Sequence, residues 1–131
     1  MAIDGRVYIV ISSADPPQRK RYTILHELGH YLLGHLGDTP LSRSYSSIRP
    51  PNEIAADKFA ADLLMPACVL WALDIHSPIE IMRLCDVSMQ AASIRAERMR
   101  VLYQRNKFPT LPLERQVYAQ FGDFIQKYKR V

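Results

Sequence analysis

The chain has 131 residues, one domain's worth with little room for two. Apolar residues make up 48% and charged residues 23%, the balance of a soluble protein with a core, and no apolar run approaches the ~18–20 residues that span a bilayer. A net charge of +4, from 17 Lys and Arg against 13 Asp and Glu, is a mild excess that does not by itself demand nucleic acid. Cys68 and Cys85 lack C-x-x-C spacing and read as free thiols; with no signal-peptide pattern at the N-terminus, the expected compartment is the cytoplasm.

Val7 to Ile11, V-Y-I-V-I, is a β-branched run suited to a buried strand. Pro16 and Pro17 turn the chain, and Arg19, Lys20 and Arg21 lead into a helix that Gly34 and Gly37 should end. Leu25, Leu28 and Leu32 form an i, i+3, i+7 stripe, so one face of this helix can pack a core while the other faces a cleft. That other face carries H-E-x-x-H, formed by His26, Glu27 and His30.

Positions i and i+4 differ by about 40° and one turn, so His26 and His30 project from one side and can bind a single metal. Zinc suits imidazole and carboxylate ligands and leaves room for a water. Glu27 lies about 60° from His30 on the same wheel, close enough to take a proton from such a water. The plain alternative is an amphipathic helix whose histidines happen to fall one turn apart. A strand just before this helix can offer its edge to an extended peptide. His35, five residues after His30, projects about 140° round the helix and points away from the pair, so it is not counted as a ligand, although a helix break at Gly34 can redirect it.

Leu36 to Asn52 is rich in Ser, Pro, Gly and Arg and reads as a loop, either a connection or the rim of a cleft, with room for a short strand at Tyr45 to Ile48. The next helix is expected from Asn52, as cap, to Met65, where Pro66 stops it. Glu53 and Asp57 form another i, i+4 pair, continued by Ala60, Ala61 and Leu64, and small alanines let two helices approach closely. Glu53 can then supply a third metal ligand, and Asp57 can accept a hydrogen bond from the far nitrogen of a liganding histidine. The alternative is two exposed carboxylates on a surface helix.

The segments R-Y-T-I-L-H-E-L-G-H-Y-L-L and E-I-A-A-D-K-F-A-A-D-L-L-M-P resemble the ImmA/IrrE family of small zinc-dependent peptidases, and the similarity runs from G-R-V-Y-I-V-I to about Arg105. The resemblance implies one zinc per chain held by His26, His30 and Glu53, with Glu27 as general base. Glu-x-x-x-Asp after H-E-x-x-H is also similar to the gluzincin arrangement, and Asp57 stands where family members often carry Asn. Tyr45 and Arg49 are the loop's candidates for oxyanion or substrate contact. The implied partner is a protein substrate, a DNA-binding transcriptional repressor of a mobile element or stress response. Family members often carry a DNA-binding region ahead of the strand, whereas this chain starts almost at the strand, which leaves a minimal form and a fragment both open.

Ser77-Pro78-Ile79-Glu80 reads as an N-cap, a proline at N1 and a capping box opening a helix to about Cys85. Asp86 and Val87 turn the chain, and Ser88 caps a second helix bearing Arg95, Arg98 and Arg100. That unit resembles a DNA-reading helix-turn-helix, but Met89, Gln90, Ala91 and Ala92 at its start are a poor base-reading set, so structural packing or a partner surface is preferred. His76 is expected at the surface or in a cap. After the break F-P-T-L-P, Leu113 to Arg130 can form one last helix with Val117, Phe121, Phe124, Ile125 and Tyr128 on one side.

The expected fold is α+β: a small N-terminal β-sheet packed with the metal helix, the Glu-bearing helix and a C-terminal helical region. It forms a single domain over 1–131, with strand and metal site in 1–75 and helices in 76–131. The expected activity is zinc-dependent hydrolysis of a peptide bond, with no role at a membrane. The alternatives are a regulator that binds DNA or a repressor without cutting, and a zinc-stabilised structural module.

Overall fold

The computed structural model describes residues 2–35, 50–105 and 111–129. It is mostly helical, and it divides into two compact units, residues 1–63 and 64–131. Among the described residues, no helix is long and apolar enough to cross a membrane.

The first unit opens on a minimal hairpin. β1 (Ala2–Ile3) and β2 (Arg6–Val7) pair antiparallel, Ala2 opposite Val7 and Ile3 opposite Arg6. Asp4 (φ 51°) and Gly5 (φ 73°) make the turn, and positive φ at both central residues is the type I′ signature that suits a two-residue hairpin. This is the only ladder among the described residues, so the expected packed sheet is not seen there. The expected buried strand at Val7–Ile11 is also corrected: only Val7 lies in a strand, and all five side chains are exposed, Val10 most of all at 68%. β-branched residues favour extended backbone, but a strand forms only where a neighbour takes up its N–H and C=O groups.

Helix α1 (Pro17–Leu32) starts earlier than the basic triplet suggested. Pro16 is its N-cap, Pro17 fills the first turn where a missing N–H costs nothing, and Arg19, Lys20 and Arg21 lie inside the helix. Helix α2 (Pro51–Leu64) likewise begins at a proline, so Asn52 falls within the first turn and not at the cap. It stops just before Pro66, as expected. The two helices meet closely at Gly29, where an added Cβ would lie 3.0 Å from Cδ1 and 3.2 Å from Cβ of Phe59.

The expected polarity of α1 is only partly kept: Gly29, between the leucine stripe and the histidines, and His30 are buried, Leu25 and Leu28 are half-buried like His26 and Glu27, and Leu32 is exposed. On α2 the buried positions are Ala56 and Ala60. Small residues bring the polar faces together.

The second unit is a set of helices around its own core. Helix α3 (Ala67–Ala72), which the sequence reading did not anticipate, buries Cys68, Val69 and Leu70. Helix α4 (Pro78–Cys85) is capped as expected: the Ser77 hydroxyl oxygen accepts from the Glu80 backbone N–H at 3.2 Å and donates to the Glu80 carboxylate at 2.8 Å. Asp86 ends it in the left-handed region at φ 53°. Helix α5 (Met89–Arg105) follows, with the Ser88 hydroxyl accepting from the Ala91 N–H.

The expected single last helix is two, α6 (Pro112–Gln120) and α7 (Gly122–Lys129), broken at Phe121. Ile125, just after the break, clusters with Cys68 and Val69, flanked by Val117, Tyr118 and Phe121. Both cysteines are free thiols, and burial pushes the Cys68 thiol up from its ordinary value.

Candidate metal centre

The H-E-x-x-H helix places its two histidines as 3.6-residue periodicity requires. His26 Nε2 and His30 Nε2 lie 3.1 Å apart. From α2, Glu53 reaches both: one carboxylate oxygen is 2.9 Å from His26 Nε2 and the other 3.1 Å from His30 Nε2. All three side chains are largely withdrawn from solvent, His30 almost completely at 3% exposure. Glu27 belongs to the same cluster, with a carboxylate oxygen within 4.8 Å of the histidine nitrogens.

Asp57, one turn beyond Glu53, sits behind His26. Its Oδ1 is 2.8 Å from His26 Nδ1, and Tyr22 donates its hydroxyl to the Asp57 backbone carbonyl at 3.4 Å. An ionised carboxylate only accepts, so Nδ1 of His26 must carry the proton of this bond. In neutral His26, Nε2 then presents a lone pair, and that lone pair faces the Glu53 carboxylate and the other imidazole.

Acceptors aimed at one another at 2.9–3.1 Å require a proton or a cation among them. A tetrahedral zinc with bonds of about 2.0–2.2 Å spaces its ligand atoms about 3.3–3.6 Å apart, so the group needs to spread only by a few tenths of an ångström. The donor set, two imidazoles and one carboxylate, is the set such a metal takes when its fourth position stays open. The residues fit the metal.

His35 is the residue the helical wheel misplaced. Gly34 (φ 81°) leaves the helix in the left-handed region, the Gly34 N–H bonds to the Tyr31 carbonyl, and the His35 N–H bonds to the His30 carbonyl at 2.7 Å. This pair of bonds is a Schellman motif. It folds the chain back beneath the helix end, and His35 Nδ1 arrives 3.0 Å from His30 Nδ1, on the edge of that ring opposite the Nε2 cluster. A projection that continues the helix past its glycine cannot find this contact, whereas a glycine directly before a histidine at the helix end is the signal that can.

Tyr45 and Arg49, and the short strand at Tyr45 to Ile48, lie outside the described residues. In the second unit the basic helix does not offer a row of arginines to a ligand. Arg95 is buried and donates its Nε–H to the Met65 carbonyl at 2.9 Å. Arg100 is held by Glu97, which its guanidinium keeps below the usual carboxylate range. His76 is at the surface, 2.6 Å from Asp74 through Nε2 and stacked on Tyr103.

The family model described as IrrE N-terminal-like domain, of a peptidase family, matches residues 2–97. No curated protein and no solved structure gives a match.

Proposed function

Because the chain belongs to the IrrE N-terminal-like domain family of peptidases, we propose that it is a zinc-dependent endopeptidase whose metal is held by His26, His30 and Glu53. The observation that carries this reading is the convergence of both histidine Nε2 atoms and both Glu53 oxygens on one buried point. Zinc bound there supplies Lewis-acid polarisation of a carbonyl and a more acidic water.

The chain's own residues do the rest. Glu27, whose carboxylate lies in the same cluster, accepts the proton of the attacking water and returns it to the leaving amine. Asp57 holds the His26 ring with Nε2 turned to the site, and its negative charge makes that imidazole a stronger donor. The exposed Val7–Ile11 segment, just ahead of α1, is the stretch suited to run beside an extended peptide. The substrate, on the resemblance alone, is a transcriptional repressor of a mobile element or stress response.

The binding-only alternative places function in α4 and α5. The burial of Arg95 under the Met65 carbonyl and the pairing of Arg100 with Glu97 weigh against base reading by that unit. Glu27→Gln separates the two readings. Incubated with a proteome-derived peptide library, the wild-type zinc form should generate new termini, and Glu27→Gln should bind zinc normally yet generate none. Equal cleavage by both proteins would contradict the role given to Glu27, and no cleavage by either would favour the binding reading.

A further inference from the structure

We infer that His35 is a positioning residue for the metal site, its Nδ1 accepting the Nδ1–H of His30 and so holding the His30 ring with Nε2 turned toward His26 and Glu53. This inference rests on the proposed zinc site and deepens it. The observation is the 3.0 Å approach of the two Nδ1 atoms, with ring centroids 5.2 Å apart and the planes inclined at 62°.

The chemistry of imidazole fixes the direction of the bond. A histidine that binds a metal through Nε2 presents a lone pair there, so its one ring proton sits on Nδ1. Nδ1–H of His30 is nine-tenths or more withdrawn from water with the rest of the side chain, which is 3% exposed, and it needs an acceptor. His35 Nδ1 supplies one when its own proton is on Nε2.

The backbone makes the contact a built feature. The bonds from Gly34 N–H to Tyr31 and from His35 N–H to His30 return the chain after a left-handed glycine and set the His35 ring beneath His30. The site thus has a matched pair of supports: Asp57 behind His26 and His35 behind His30. They differ in kind, since the carboxylate adds negative charge while the neutral imidazole fixes orientation and tautomer without it.

The test is zinc affinity by competition with a chromophoric chelator on wild type, His35→Ala and His35→Asn, with the melting temperature of each metal-free protein. Wild type should bind one zinc, His35→Ala should bind it about 10-fold more weakly, and His35→Asn, whose side-chain oxygen replaces Nδ1 as acceptor, should recover most of the loss. Metal-free melting temperatures should fall by less than the loss in affinity accounts for. Wild-type affinity in His35→Ala would overturn the inference and leave the zinc site standing, whereas absence of zinc from the wild type would overturn both. Affinity that falls in step with metal-free stability, or an Asn variant as weak as the Ala one, would mean a merely structural role and also overturns it. If His35→Ala does not fold, long-range nitrogen-15 spectra of the zinc-loaded wild type decide: a proton on Nδ1 of His30 and on Nε2 of His35 supports the assignment, and the reverse tautomers reject it.

Discussion

Asp57 Oδ1 stands 2.8 Å from His26 Nδ1, while the opposite nitrogen of the same ring faces Glu53 at 2.9 Å. One histidine is therefore gripped at both edges by two carboxylates that lie one turn apart on a neighbouring helix. In the proposed site the outer carboxylate orients the ring and the inner one shares its metal, so removing the outer one should leave the three proposed ligands in place but loosen one of them. Asp57→Ala is expected to weaken zinc binding 10–100-fold, and Asp57→Asn less, because an amide oxygen still accepts the Nδ1–H but carries no charge. Chelator competition on the two variants checks both the loss and its order.

Gly29 is where α1 and α2 come closest, and a methyl group there meets the Phe59 ring near its root, where rotation of the ring gives little relief. Alanine gains about 0.8–1 kcal/mol of helix propensity over glycine, against about 1–3 kcal/mol for forcing extra volume into a tight contact. Gly29→Ala should therefore lose about 1 kcal/mol in urea denaturation. It should also bind zinc less tightly, because Glu53 and Asp57 ride on the helix that is pushed away. The double variant with Phe59→Ala should lose less than the sum of the two single changes.

Arg95 reads in the sequence as one of a basic row, but in the fold its Nε–H satisfies the Met65 carbonyl just past the end of α2. Arg95→Met keeps an apolar stem and removes the donor, so it should destabilise the protein by about 1.5–3 kcal/mol, the range for a hydrogen bond to a charged group. Chemical denaturation measures it. An unchanged midpoint would mean the carbonyl finds another donor.

Tyr103 is pushed up to about 12 from its ordinary 10.0, first by burial and then by the negative charge of Asp74. Its hydroxyl lies 3.0 Å from the Leu70 carbonyl and 2.9 Å from the Ile75 carbonyl, and it can donate to them only while protonated. The unfolded chain releases this proton near pH 10 and the folded one near 12, so the stabilisation is complete below pH 10 and is lost as pH rises through about 12. Absorbance titration near 295 nm should show one tyrosine ionising last, and Tyr103→Phe should remove that step.

Local rules were enough for much of the site. The i, i+4 spacing in H-E-x-x-H and in Glu53-x-x-x-Asp57 fixes which side chains share a face, and the Ser77 cap with Pro78 fixes where α4 starts. What the pattern could not give was the environment of each face. The leucine stripe of α1 is not the buried face its pattern implies: Leu32 is exposed, while Gly29, between the stripe and the histidines, packs on Phe59 of α2 and His30 is buried. The V-Y-I-V-I run has strand propensity, but the ladder stops at Val7. His35 was misplaced because the wheel assumes a helix, and the left-handed Gly34 ends it one residue too soon for that assumption. The division of α6 from α7 accompanies the seating of Ile125 with Cys68 and Val69, a contact between distant segments that no local pattern contains.

The decisive measurement is zinc stoichiometry by native mass spectrometry on wild type and Glu53→Ala. One zinc per wild-type chain is expected, with loss or marked weakening in Glu53→Ala, whose two histidines remain but whose proposed third ligand is gone. A wild type that takes up no zinc after reconstitution, or a Glu53→Ala protein that holds it as tightly, would contradict the assignment of His26, His30 and Glu53 as one metal site.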